Sequence, residues 1–120
     1  MKVMIVEDSP EMVSRMLRLL QEASGLEIAG VASSNAEAIA LFDEIRPQVV
    51  TLDITLRDGN SLDSLRRMMA AEPPPTVIVV TDHALAGYRE HFLDAGATSV
   101  IAKSDLPHLP ELIRTLLEGC

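Results

Sequence analysis

The chain has 120 residues, 48% of them hydrophobic, with one Tyr, two Phe and no Trp. That length makes a single domain over residues 1–120, with a core built from aliphatic side chains. A formal charge of −8 excludes direct nucleic-acid binding, which needs a basic footprint. Met1-Lys2 leads straight into a four-residue apolar run, too short for a signal peptide, and no stretch is long enough to cross a membrane. The single cysteine, Cys120, is the last residue and cannot close an internal disulfide. A reducing, cytoplasmic compartment is therefore expected.

In chain order, strand and helix patterns alternate five times. Val3-Met4-Ile5-Val6 is a short apolar run of the buried-strand type and ends at Glu7-Asp8. Ser9 caps a first helix with Pro10 at its first position and a buried stripe of Val13, Met16, Leu17 and Leu20. A second strand is placed around Leu26–Ala32. Ser34-Asn35-Ala36-Glu37 has capping-box spacing and opens a helix with Ala38, Leu41, Phe42 and Ile45 on one face. Pro47 ends that connection, and Val49-Val50-Thr51-Leu52 runs into Asp53. A loop, Arg57-Asp58-Gly59-Asn60, leads to a third helix marked by Leu62, Leu65 and Met69. Pro73-Pro74-Pro75 forbids helix and hands over to Val77-Ile78-Val79-Val80, which ends in Thr81. Leu85, Tyr88 and Phe92 give a fourth, weaker helix that ends near Gly96, with Tyr88 expected to be half-buried. Ser99-Val100-Ile101-Ala102 runs into Lys103, and Leu109, Leu112, Ile113, Leu116 and Leu117 keep helical spacing to the end. Pro107 and Pro110 leave the start of that helix open by a turn.

Five βα units of this length most simply give an α/β fold with right-handed crossovers: a doubly wound, five-stranded parallel sheet in order 2-1-3-4-5, flavodoxin-like, with helices on both faces. Strand one then lies beside strand three. Glu7, Asp8, Asp53, Thr81 and Lys103 converge at the carboxyl edge, where open α/β sheets bind ligands. Two carboxylates a few ångströms apart repel by roughly 3 kcal/mol at an effective dielectric near 20. Three in one pocket need a proton, a cation or a lysine among them. Hard oxygen donors with room for water favour Mg²⁺, with Mn²⁺ as the alternative. A carboxylate can also act as the nucleophile in phosphoryl transfer, with Lys103 and the Thr81 hydroxyl on the remaining oxygens of the transferred group.

These residues resemble the receiver domain of bacterial two-component response regulators, single-domain and chemotaxis-regulator-like. The resemblance covers essentially the whole chain. It rests on Val6-Glu7-Asp8, on Arg46-Pro47-Gln48-Val49-Val50-Thr51-Leu52-Asp53-Ile54, on Val80-Thr81, and on Ala95-Gly96-Ala97 leading to Lys103. It implies that Asp53 accepts a phosphoryl group from a histidine kinase or histidine phosphotransfer protein, becoming an aspartyl phosphate. It implies direct Mg²⁺ binding by Asp8, action of Glu7 mainly through water, and completion of the metal site by the backbone carbonyl of Thr55. Thr81 would be the switch hydroxyl and Lys103 the phosphate-contacting lysine. His83, two residues after Thr81, is read either as tuning dephosphorylation together with Thr55 or as a solvated loop histidine. His91 and His108 are read as surface residues.

Four positions depart from the family pattern. Val100 stands where an aromatic ring usually rotates inward. Ser104 replaces the proline that commonly follows the lysine, Arg57 the proline four residues after the acceptor, and Ser61 a common glycine. These bear on switching more than on phosphoryl chemistry.

The leading expectation is a phosphoacceptor switch with no effector attached, since the chain ends with its fifth helix. It acts on a downstream target protein or passes the phosphoryl group along a relay, and is not a turnover enzyme. The alternative is a phosphorylation-independent adaptor of the same fold, against which the intact Glu7, Asp8, Asp53, Thr81 and Lys103 weigh. A phosphohydrolase of the haloacid dehalogenase type would need a second acid where Thr55 stands. A flavin carrier would need a hydroxyl-rich phosphate loop where Glu7-Asp8 would repel the phosphate.

Overall fold

The computed structural model of the chain describes residues 1–82 and 87–118; His83, Leu85 and Cys120, singled out in the sequence, lie outside them. Strand β1 (Lys2–Val6) is followed by α1 (Pro10–Gln21), β2 (Glu27–Ala32), α2 (Asn35–Ile45) and β3 (Val49–Asp53). A small hairpin, β4 (Thr55–Leu56) and β5 (Gly59–Asn60), precedes α3 (Leu62–Met69). Then come β6 (Thr76–Thr81), α4 (Arg89–Asp94), β7 (Ser99–Ala102), a 3₁₀ segment (Lys103–His108) and α5 (Leu109–Glu118).

The main sheet has five parallel strands in the order β2-β1-β3-β6-β7, which is the 2-1-3-4-5 order expected from the pattern once the hairpin is set aside. Its inner strands β1, β3 and β6 are buried on both sides because helices cover both faces, while the edge strands β2 and β7 are only partly covered. One face (Val3, Ile5, Val49, Ile78 and Val80) packs against Met16 and Leu20 of α1 and against Leu109 and Ile113 of α5. The other (Met4, Val6, Val50, Leu52, Val77, Val79 and Val100) packs against Ala38 and Phe42 of α2, Leu65 and Met68 of α3, and Phe92 of α4. Phe42 and Phe92 share one face, and the rest of the core is aliphatic apart from methionine sulfur.

Local chemistry accounts for the helix ends. Ser9 caps α1, its hydroxyl accepting from Met12 N–H, and Pro10 takes the first position. Ser34 caps α2 by accepting from Glu37 N–H at 3.1 Å. The Glu37 carboxylate accepts from the Ser33 and Ser34 hydroxyls and pairs with Arg57 at 2.8 Å. Past α4, Gly96 has φ +113, and a Cβ there would lie 2.9 Å from the Met69 side chain. Only glycine fits that turn.

Helix α3 is marked by Leu62, Leu65 and Met69 as expected, with Leu65 and Met68 fully inward and Leu62 and Met69 packed partly buried against the core. Two expectations change. The Arg57-Asp58-Gly59-Asn60 segment is no simple loop: Leu56 pairs with Gly59 and Thr55 with Asn60 as an antiparallel hairpin, with Gly59 at φ +125. Tyr88 is 47% exposed at the start of α4 and is not half-buried packing. Pattern reasoning missed the hairpin because four residues are too few to show a period of two.

Candidate functional site

The site sits at the carboxyl ends of β1, β3, β6 and β7, and its convergence follows from register. Val6 pairs with Leu52, Asp53 with Val80, and Thr81 with Ala102. The residue after each apolar run therefore falls at nearly the same height: Glu7 after β1, Asp53 at the end of β3, Thr81 at the end of β6, Lys103 after β7. The chain steps from β1 outward to β2 and returns on the other side of β1 to form β3. That reversal opens a crevice between two strand ends, and the acids lie in it.

One ligand oxygen from each of Glu7, Asp8 and Asp53 can be chosen so that all three lie within 4.8 Å of one another. Glu7 and Asp53 are buried, 3% and 6% exposed, while Asp8 is open to solvent. Lys103 Nζ spans the group, 3.6 Å from Asp53 Oδ2, 3.7 Å from Glu7 Oε1 and 3.9 Å from Asp82 Oδ2. Thr81 is buried, and its hydroxyl donates to the Asp82 carbonyl at 3.2 Å.

The electrostatics follow from packing three acids around one ammonium. Burial, reinforced by the Asp53 charge, pushes the Glu7 carboxyl up to about 7. Burial raises Asp53 as well, against the opposing pull of a hydrogen bond with Glu7, the Lys103 charge and the Thr55 amide. The two carboxyls titrate as a coupled pair, each raised by burial. For Lys103, desolvation acts downward, but Asp53, Glu7 and Asp82 together outweigh it and its pKa rises. The ammonium stays charged.

Oxygen donors in excess of the one nearby cation are the donor set that a hard divalent ion takes. Mg²⁺ commonly uses one or two carboxylates together with water and phosphate oxygens, and Glu7, Asp8 and Asp53 fit that requirement.

The structure therefore brings Glu7, Asp8, Asp53, Thr81 and Lys103 to one edge, with Thr55 next to them through its amide. His91 and His108 are exposed. Two residues that sequence reasoning left aside also belong here. Asp82 adds a third carboxylate to Lys103. Ser61 is fully buried and ties the base of the hairpin, its hydroxyl donating to the Asp53 carbonyl at 2.5 Å and its amide to the Ile54 carbonyl at 2.8 Å. A hydroxyl there does something the family's common glycine cannot.

Comparison with known proteins supports the same reading. The sequence model of the response regulator receiver domain matches residues 3–114. The chain is 31% identical over 106 residues to the chemotaxis protein CheY of Thermotoga maritima, covering 88% of each. It is also 35% identical over 116 residues to a protein-glutamate methylesterase/protein-glutamine glutaminase of Hahella chejuensis, covering 95% of this chain but 33% of that one. The chain thus spans about a third of the length of that relative. In three dimensions it is similar to the response regulator domain of Thermotoga maritima CheB, with a TM-score of 0.86 at 26% identity, covering 96% of this chain and 94% of that domain. With the strand order, the acid-lined edge and this match over nearly all of its length, the chain belongs to the response regulator receiver domain family.

Proposed function

We propose that the chain is a phosphoacceptor switch in which Asp53 takes a phosphoryl group from a histidine kinase or histidine phosphotransfer protein, and that the phosphorylated form changes partner binding. The observation that carries the reading is the cluster itself: Asp53 ends the central strand, buried, with Glu7 and Asp8 oxygens within 4.8 Å and Lys103 Nζ at 3.6 Å. An Asp53 carboxylate oxygen attacks phosphorus, the bond from phosphorus to the donor nitrogen breaks, and the imidazole leaves with the electron pair. Water later hydrolyses the acyl phosphate and restores the carboxylate.

Glu7, Asp8 and Asp53 would hold Mg²⁺, with the Thr55 carbonyl as a further ligand. An antiparallel strand residue turns its N–H and C=O to the same side, and the Thr55 amide acts on the Asp53 carboxyl, holding its pKa down against burial. When bound, the ion supplies charge neutralisation on the transferring group. Lys103 offers its ammonium to the phosphoryl oxygens, and the Thr81 hydroxyl, now on a backbone carbonyl, can turn toward them.

We read the chain as a signalling module and not a turnover enzyme. The activity named for the methylesterase relatives is not carried over, since those chains are about three times as long as the matched region. No helix among the described residues is long and apolar enough to cross a membrane, and a cytoplasmic location suits a histidine-kinase donor. The phosphorylation-independent adaptor has no observation in its favour that the intact cluster does not answer.

The test is incubation with acetyl phosphate and Mg²⁺ followed by intact mass. Wild type should gain one phosphoryl group, Asp53→Asn none, and EDTA should abolish the adduct. An unchanged yield in Asp53→Asn removes Asp53 from the role. Equal Mg²⁺ stabilisation of wild type and Asp8→Asn removes Asp8 from the metal site; linkage predicts about 2.7 kcal/mol for wild type at a hundredfold excess over Kd.

A further inference from the structure

Asparagine is a weak helix former, yet Asn35 occupies the first position of α2. Its contacts explain it. The first amides of a helix have no partner within the helix. In α2, Ser34 Oγ takes the Glu37 amide. The Asn35 and Ala36 amides instead go to a carboxylate more than twenty residues away: Asn35 N donates to Asp58 Oδ1 at 2.9 Å and Ala36 N to Asp58 Oδ2 at 3.2 Å. The Asp58 carboxyl is held below its ordinary range, chiefly by the Asn35 amide, and a negative charge suits the positive end of the helix.

The Asn35 side chain completes the knot. Nδ2 lies 3.1 Å from Asp58 Oδ1, 3.3 Å from the Gly59 carbonyl and 3.1 Å from the Asn60 carbonyl, while Oδ1 accepts from Ser64 Oγ of α3 at 2.6 Å. Three acceptors on one side and a hydroxyl on the other leave only one sensible amide orientation. One side chain therefore ties together the start of α2, the turn of the β4–β5 hairpin and the first turns of α3. Ser61 closes the hairpin base onto the Asp53 and Ile54 carbonyls. Thr55 lies between these two anchors.

We propose that Asn35 is a positioning residue for the metal site: by latching the hairpin tip through Asp58, Gly59 and Asn60, it holds Thr55 in place before an ion arrives. The inference rests on the reading of Thr55 as a metal ligand under the proposed function. A hairpin of two-residue strands is too short to stay ordered by its own pairing. Without the latch, ordering Thr55 falls to the metal-binding step, and affinity drops by that cost. The exposed Arg57–Glu37 pair also joins hairpin to α2, but it is half solvated on both sides and holds little.

The test is Mg²⁺ titration by calorimetry on the full chain, paired with metal-free melting. Asn35→Ala should weaken Mg²⁺ binding about tenfold, the lower end for partners that orient a ligand, whereas Arg57→Ala should stay within twofold. Ser64→Ala, a gentler change that frees only the amide oxygen, should weaken binding to a lesser degree and serves if Asn35→Ala folds poorly. Asp58→Asn, which keeps an oxygen for the Asn35 amide, should bind more tightly than Asp58→Ala. Wild-type affinity in both Asn35→Ala and Ser64→Ala overturns the positioning role, as does an equal loss in Arg57→Ala, which would mean general loosening. A wild type that binds no Mg²⁺ overturns the metal reading itself, and this inference with it.

Discussion

Lys103 Nζ lies 3.6 Å from Asp53 Oδ2 and belongs to a strand end two strands away from β3 in the sheet. With Glu7 at 3.7 Å and Asp82 at 3.9 Å, it is the internal counter-ion of an acid cluster that exceeds it in charge. The same ammonium thus stabilises the metal-free site and competes with any cation entering it. Lys103→Met should lower metal-free stability at pH 8 by about 2 kcal/mol, less than for a fully buried pair because Lys103 keeps some solvent. It should also tighten Mg²⁺ binding, read by calorimetry, while lowering the yield with acetyl phosphate. Weaker Mg²⁺ binding in the variant would contradict the counter-ion role.

The Glu7 carboxyl gives a pH signature opposite to that of an ordinary paired acid. Its pKa is about 7 in the fold against 4.5 unfolded, so between those values the folded state binds more protons. Stability then falls as pH rises from about 4.5 through 7. The full difference corresponds to about 3 kcal/mol. Metal-free protein should melt higher at pH 5.5 than at pH 8, and Glu7→Gln should flatten that slope. Mg²⁺ affinity should rise over the same interval as the Glu7 carboxyl loses its proton. A wild-type slope retained in Glu7→Gln would assign the titration elsewhere.

Thr51 sits mid-strand between Ile5 and Ile78, fully buried, and its hydroxyl has no hydrogen-bond partner among the described residues. An unsatisfied buried donor costs on the order of 1–3 kcal/mol. Thr51→Val, of nearly the same shape and a better strand former, should raise stability by about 1 kcal/mol and the melting temperature by about 4 °C. A lower melting temperature would show that the hydroxyl is satisfied, with a buried water as its partner.

Val100 is buried against the α2–α4 face, and its branched side chain is stiff at χ1. Its carbonyl, on the edge strand, accepts from Arg89 Nη1 of α4 at 2.7 Å. A change starting at Thr81 should therefore reach α4 and not pass through residue 100 into α5. With beryllofluoride and Mg²⁺, amide exchange should change at Thr81, Asp82 and Arg89–Asp94 while Leu109–Glu118 stays level. Thr81→Ala should uncouple the α4 response from phosphorylation. Protection changes confined to α5 would sink this route.

Much of this was legible in the chain because each signal was local and repeated. Four apolar runs, each closed by a polar residue, mark Glu7, Asp53, Thr81 and Lys103, and crossover handedness limits the strand order. Helix caps at Ser9 and Ser34 were readable since a cap acts within three residues. The features that escaped join distant segments. Asn35 looked like an ordinary member of a capping box, and its work for Asp58, Gly59, Asn60 and Ser64 appears only when α2, the hairpin and α3 meet. Asp82 becomes a partner of Lys103, and Ser61 a brace on the Asp53 carbonyl, for the same reason.

The fold class and the convergence of Glu7, Asp8, Asp53, Thr81 and Lys103 follow from the chain alone, since strand and helix periods, caps and strand-end residues are short-range properties; Asp82 joins them only in three dimensions. Packing in three dimensions sets how those groups share charge and what holds them. Burial of Glu7 beside Asp53, and not its composition, raises its pKa. The position of Thr55 depends on hydrogen bonds spanning up to 29 residues, which no local pattern encodes.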